Sequence, residues 1–186
     1  MPYQKHYKLV DDVTSHFDAV TATIDDFTLS RYVGFFAVAS AAVIESAYKD
    51  IVLDFAERTH PTFSSYFASR HEQVNGRVKI SQINEDCLKR FGGKFHDRFN
   101  NLLGRIDRYY IKRKGFSIVS SYGSLITCRH EFAHQGSIPE TVSYSDIKNG
   151  YEAGKVVLSC LAKALSSHIQ SAPPPHGELP KATEAL

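Results

Sequence analysis

Apolar residues recur along this chain at helical spacing, and no pair of segments alternates apolar with polar in the way a sheet requires. That periodicity commits the chain to an all-α fold, and helix-breaking residues divide it. A first helix is expected over Lys8 to Asp26, and a second, long one from Arg31 to about Glu57, capped by Ser30 and closed by His60-Pro61. A third covers Ser64 to Val74 before the turn signal Asn75-Gly76. Ser81 caps a short helix to Phe91, which Gly92-Gly93 breaks; Lys94 to Lys112 follows, ending before Gly115. Phe116 to Gln135 is the sixth, stopped by Gly136, and the last starts at Ser143 or Ser145 and runs to about Ile169.

The chain has 186 residues, 42% hydrophobic and 23% charged, which suits one compact domain with its own core. We place that domain at 1–170 and read 171–186, SAPPPHGELPKATEAL, as a flexible proline-rich tail. A net charge of +2 leaves any case for nucleic acid to a local patch. The three cysteines, Cys87, Cys128 and Cys160, lack CxxC spacing and read as buried thiols of a reducing compartment. The N-terminal residues lack a signal-peptide pattern, and the apolar run Val33 to Ile44 is too short to span a bilayer. The expectation is a cytoplasmic protein with no membrane partner.

Two helices carry residues at odds with their surroundings. On a wheel of roughly 100° per residue, Ile118, Tyr122, Leu125, Ile126 and Ala133 form an apolar stripe, and Arg129 falls within it. His130 lies at the flank of the stripe and His134 at its polar border. A buried guanidinium is costly unless paired. On the second helix Glu45 interrupts the ridge Val38, Ala41 or Ala42, Tyr48 and Val52, so a Glu45–Arg129 pair is expected; the alternative is that both snorkel separately to water.

Arg129, four intervening residues and His134, embedded as R-H-x-x-A-H-x-G near a helix end, resemble the signature of the HEPN superfamily, in which Asn or His often follows the Arg. AAVIESAYKDIVLDF resembles the helix that opens the core in the ribonuclease-like (RiboL-PSP-HEPN-type) branch, and KISQINEDCLKRFGGKFHDRF its middle section. The resemblance spans about Arg31 to Ser167. It implies a HEPN-like bundle of six to seven helices, forming a two-fold homodimer whose motif helices meet in one cleft. It further implies an endoribonuclease that uses no metal or other cofactor. His134 is then the general acid/base for attack of a ribose 2′-OH, Arg129 stabilises phosphoryl charge, and His130 takes an open supporting role. A toxin–antitoxin or phage-defence setting, with an antitoxin or other regulatory protein as partner, comes from the same resemblance.

The same residues also spell HExxH, His130-Glu131-Phe132-Ala133-His134, the pattern of a zinc hydrolase. Against it, the helix stops directly after the second His, the available third ligand, Glu152, lacks a further acidic partner to support it, and no strand offers an edge for peptide. A third reading makes RxxxxH an electrostatic device at a helix C-terminus in a non-catalytic module. For RNA, Arg105, Arg108, Lys112, Arg113 and Lys114 at the end of the fifth helix, with Tyr109 and Tyr110 among them, form the basic patch. The plain alternative is a solvated helix end that complements its dipole.

Overall fold

The computed structural model describes residues 2–21, 23–71, 76 and 78–166, the side chains of 70 and 71 excepted, and every regular element among them is helical. A 3-10 turn, Pro2–Tyr7, leads into α1 (Lys8–Val20), α2 (Asp26–Thr59) and α3 (Pro61–His71). The next stretch is continuous: α4 (Ile80–Gln82), a π turn (Ile83–Leu88) and α5 (Lys89–Phe91). Then follow α6 (Gly93–Lys114), α7 (Ile118–Gln135) and α8 (Tyr144–Ser166). With 80–91 taken as one helical stretch, the described residues form the expected all-α bundle of about seven helices. The tail at 171–186 lies outside the described residues.

Local chemistry explains the boundaries, including those that differ from expectation. Asp25, not Ser30, caps α2: its carboxylate accepts from the Thr28 amide at 3.0 Å and the Thr28 hydroxyl at 2.7 Å. The first helix therefore stops at Val20 and the second starts five residues early. Pro61 opens α3 because a first-turn residue needs no amide partner, and the His60 ring accepts from the Thr62 amide at 3.2 Å. The stretch after Ser81 widens into a π turn, which lets Ile83, Cys87 and Leu88 all reach the core. Gly115 and Gly136 end α6 and α7 at φ +77° and +67°, backbone angles that favour glycine.

At the centre of the bundle α7 packs on α8, and both pack on α2. Glycines make these approaches close. A Cβ on Gly150 of α8 would lie 2.8 Å from both the Ser121 carbonyl and the Leu125 Cβ of α7, and one on Gly154 would lie 2.3 Å from Ile44 of α2. Where α2 crosses α7, a Cβ on Gly34 would lie 2.1 Å from the ring of Phe132. The Tyr122 hydroxyl, fully buried, donates to the Val78 carbonyl at 2.7 Å and ties α7 to the segment before α4.

Helix α2 is long and apolar enough to cross a membrane, at 34 residues with a mean hydropathy of 1.6 in its most apolar window, whereas Val33 to Ile44 alone is not. In this fold Phe36, Ala37, Ile44, Ala47, Val52 and Ala56 of that helix are buried against protein.

Gly150→Ala is expected to destabilise the protein by about 1–3 kcal/mol, because the added methyl meets a carbonyl that cannot move. Gly123→Ala, on the open face of α7 with nothing within 4 Å of the new methyl, is expected to raise the Tm, since alanine favours a helix by about 1 kcal/mol over glycine. Equal Tm shifts in the two variants would contradict the close α7–α8 contact. All three cysteines are buried, and burial pushes the Cys87 thiol up to about 12 and the Cys128 thiol up to about 11. At pH 8 a disulfide reagent should therefore label none of them in native protein and all three after denaturation; fast labelling of native protein would show an exposed thiol.

Candidate functional site

The motif occupies the last two turns of α7. Asp107 and Ser117 set the start of that helix: Ser117 accepts from the Ser120 amide at 3.1 Å, and Asp107 accepts from the Ser117 hydroxyl at 2.9 Å and the Val119 amide at 3.1 Å. Its buried residues are Ile118, Tyr122, Leu125, Ile126, Cys128 and Phe132. The core-facing arc keeps Ile118, Tyr122, Leu125 and Ile126 and extends to Cys128 and Phe132. Phe132 takes the gap at Gly34, Ala133 is exposed, and Arg129, between Ile118 and Tyr122 by angle, is half-buried near the end of the helix.

His130 and His134, one turn apart, are both exposed and in ring contact, with centroids 4.4 Å apart and planes at 60°. Arg129 points elsewhere. Its guanidinium packs over Gly76, with Nη1 3.6 Å from where a Cβ on that residue would stand. Gly76 has φ +78°, a turn conformation, as its place in Asn75-Gly76 suggests; Asn75 is outside the described residues.

Glu45 also reaches Gly76, from the opposite partner group. Its Oε2 accepts from the Gly76 amide at 2.9 Å, and its Oε1 pairs with Lys49 at 3.0 Å. Among the described residues no carboxylate is within ion-pairing distance of Arg129, so the direct Glu45–Arg129 pair is corrected to an indirect relation: both groups meet the same glycine. The i, i+4 neighbour Lys49 supplies the countercharge for Glu45 without any long-range contact, which is why the expected pair does not form.

The third zinc ligand that HExxH would need is not brought to the two histidines. Glu152 pairs with Lys155 at 2.8 Å, and Lys155 binds Asp11 of α1. Among the described residues no three His, Cys, Asp or Glu side chains are grouped to hold a metal ion.

Arg105, Arg108, Lys112, Arg113 and Lys114 are all exposed, as is Tyr109, while Tyr110 packs edge-on against Phe116. Asp107, the acidic residue among them, is turned to the start of α7. The patch adjoins that start, so it lies about 25 Å along the helix from His134, counting 1.5 Å per residue.

Compared with family models, residues 4–167 match RiboL-PSP-HEPN. The chain belongs to that family. The match takes in the 3-10 turn and α1, upstream of the region where the sequence resemblance begins at Arg31. No curated protein and no solved structure matches the chain. What sequence reasoning missed at the site is Gly76, whose place beneath Arg129 depends on a turn fifty residues away; its only local signal is the Asn-Gly pair.

Glu45→Ala is expected to cost about 1–3 kcal/mol in urea unfolding, because it strands the Gly76 amide and Lys49. Glu45→Gln, which keeps an acceptor for the amide, is expected to lose less. Unfolding of Glu45→Ala at the wild-type midpoint would show that the carboxylate does not hold this turn.

Proposed function

We propose that this RiboL-PSP-HEPN protein is an endoribonuclease, cutting RNA without a metal in a cleft completed by a second copy of the chain. The observation that carries the reading is the exposed His130–His134 pair at the end of α7, one residue on from Arg129, in a chain of this family. Two imidazoles in contact provide a base to take the proton from a 2′-OH and an acid to protonate the leaving 5′ oxygen. The 2′ oxygen bonds to phosphorus as the P–O5′ bond breaks, leaving a 2′,3′-cyclic phosphate and a 5′-OH. His134 is the principal acid/base, and its contact with His130 favours a share in proton transfer for the latter. Arg129 stabilises the phosphoryl oxygens.

Within one chain, Arg129 and His134 diverge by about 140° around the helix. A two-fold pairing of α7 with its partner offers each histidine the other chain's arginine, which supports the homodimer. The basic patch, a helix length away, suits a distal stretch of the RNA. A toxin–antitoxin or phage-defence role, with an antitoxin as regulator, in the cytoplasm, completes the reading and rests on the family resemblance. A non-catalytic RNA-binding or interaction module is the second reading, favoured by the absence of an Arg129–His134 contact within one chain.

The test is cleavage of single-stranded RNA in EDTA, with products analysed for cyclic phosphate ends. Wild-type protein is expected to cut, and His134→Ala and Arg129→Ala each to lose about 10²- to 10⁴-fold in kcat. Undiminished cleavage by His134→Ala would remove the mechanism. Stoichiometric zinc bound through His130 and His134 would favour the hydrolase reading in its place.

A further inference from the structure

Helix α2 changes character along its length. Beyond its first turns it is buried in the bundle, but Phe27 and Phe35 are 70% and 62% exposed, among the most exposed large apolar side chains described. They are eight residues apart with Arg31 midway, so the three share one face of the helix. The Arg31 guanidinium stacks 5.1 Å from the Phe27 ring and donates to the Gly136 carbonyl at 3.3 Å. Gly136 is the C-terminal cap of α7, two residues past His134. The Phe35 ring meets Phe132 edge-on with centroids 5.2 Å apart. This face therefore adjoins the end of α7 that bears the histidines. Beside it, Phe27, Leu29, Val33, Ile138, Pro139 and Tyr144 line a groove of about 600 Å³.

We infer that Phe27, Arg31 and Phe35 form a base-stacking subsite for single-stranded RNA next to the scissile phosphate, with Arg31 as its phosphate contact. The inference rests on the ribonuclease reading and names where the substrate is held. Exposed aromatic rings interleaved with an arginine are the chemistry that binds unpaired bases, since every base offers a π face and every linkage a negative charge. The charge also decides against an apolar protein surface as occupant. Covering Arg31 with a second copy would desolvate a guanidinium whose only bonded acceptor among the described residues is a neutral carbonyl, whereas a phosphate supplies the countercharge. Asp26 and Glu140 at the groove repel phosphate but accept from amino groups on a base edge, so the groove suits the base and Arg31 the backbone.

The test compares wild type with Phe35→Ala, Phe35→Leu, Phe35→Tyr, Phe27→Ala and Arg31→Ala. It reads kcat and KM on a single-stranded RNA, 2-aminopurine quenching in a 2′-deoxy-blocked version, and mass by sedimentation. Phe35→Ala and Phe27→Ala should each raise KM about 5- to 100-fold and relieve the quenching, with kcat within about twofold. Phe35→Tyr should behave as wild type and Phe35→Leu as the alanine variant, since stacking needs a ring. Arg31→Ala should raise KM and flatten its salt dependence. Wild-type KM in Phe35→Leu would overturn stacking, and a dimer that falls apart in Phe35→Ala would assign the face to a second copy. If wild type cuts RNA and Phe35→Ala matches it, the subsite alone fails. If wild type neither binds nor cuts RNA, the ribonuclease reading fails with it.

Discussion

Three helices meet in the middle of this protein at glycines that admit a neighbour's backbone or side chain, and the placement of α7 depends on those contacts. Gly150 lets α8 touch the Ser121 carbonyl, Gly154 admits Ile44 of α2, and Gly34 leaves the space that Phe132 fills. Each glycine costs about 1 kcal/mol of helix propensity relative to alanine, which the close packing offsets. Because α7 is clamped on two sides, its remaining faces are determined. The arc through Cys128 and Phe132 goes inward, Arg129 lies half-buried over Gly76, and both histidines go outward.

The partial exposure of Arg129 shapes the electrostatics of the site. A half-buried guanidinium keeps part of its hydration and needs no buried carboxylate, so Glu45 is free to hold a turn. Its two oxygens take the Gly76 amide and Lys49. Through that turn Glu45 acts on the surface against which Arg129 lies. The histidines, by contrast, are exposed and in ring contact with each other. Arg129 and the two histidines are thus displayed on different sides of one helix.

The exposed start of α2 and its buried remainder reflect the same clamp. Beyond Phe35 the helix packs against α7, α8, α3 and the 3-10 turn. Before it, Phe27 and Arg31 project past the end of α7, where Arg31 caps the Gly136 carbonyl. An aromatic and cationic face beside an imidazole pair has a different chemical character from the lysine- and arginine-rich end of α6. The two surfaces lie at opposite ends of α7.

Much of this was legible in the chain itself. Periodicity and breakers such as His60-Pro61, Gly115 and Gly136 determined the number of helices and most of their ends, because capping and left-handed backbone are local properties of a few residues. The Arg129–His134 spacing and the segments around it pointed to the family. Other features were decided only by tertiary structure. Whether Phe132 or Ala133 turns to the core depends on Gly34 making room for Phe132, a contact between residues almost a hundred positions apart. The partner of Glu45 depended on a turn near Gly76 that no periodicity announces. A helical wheel assigns each residue an angle, but only the neighbouring helices decide which angles are buried.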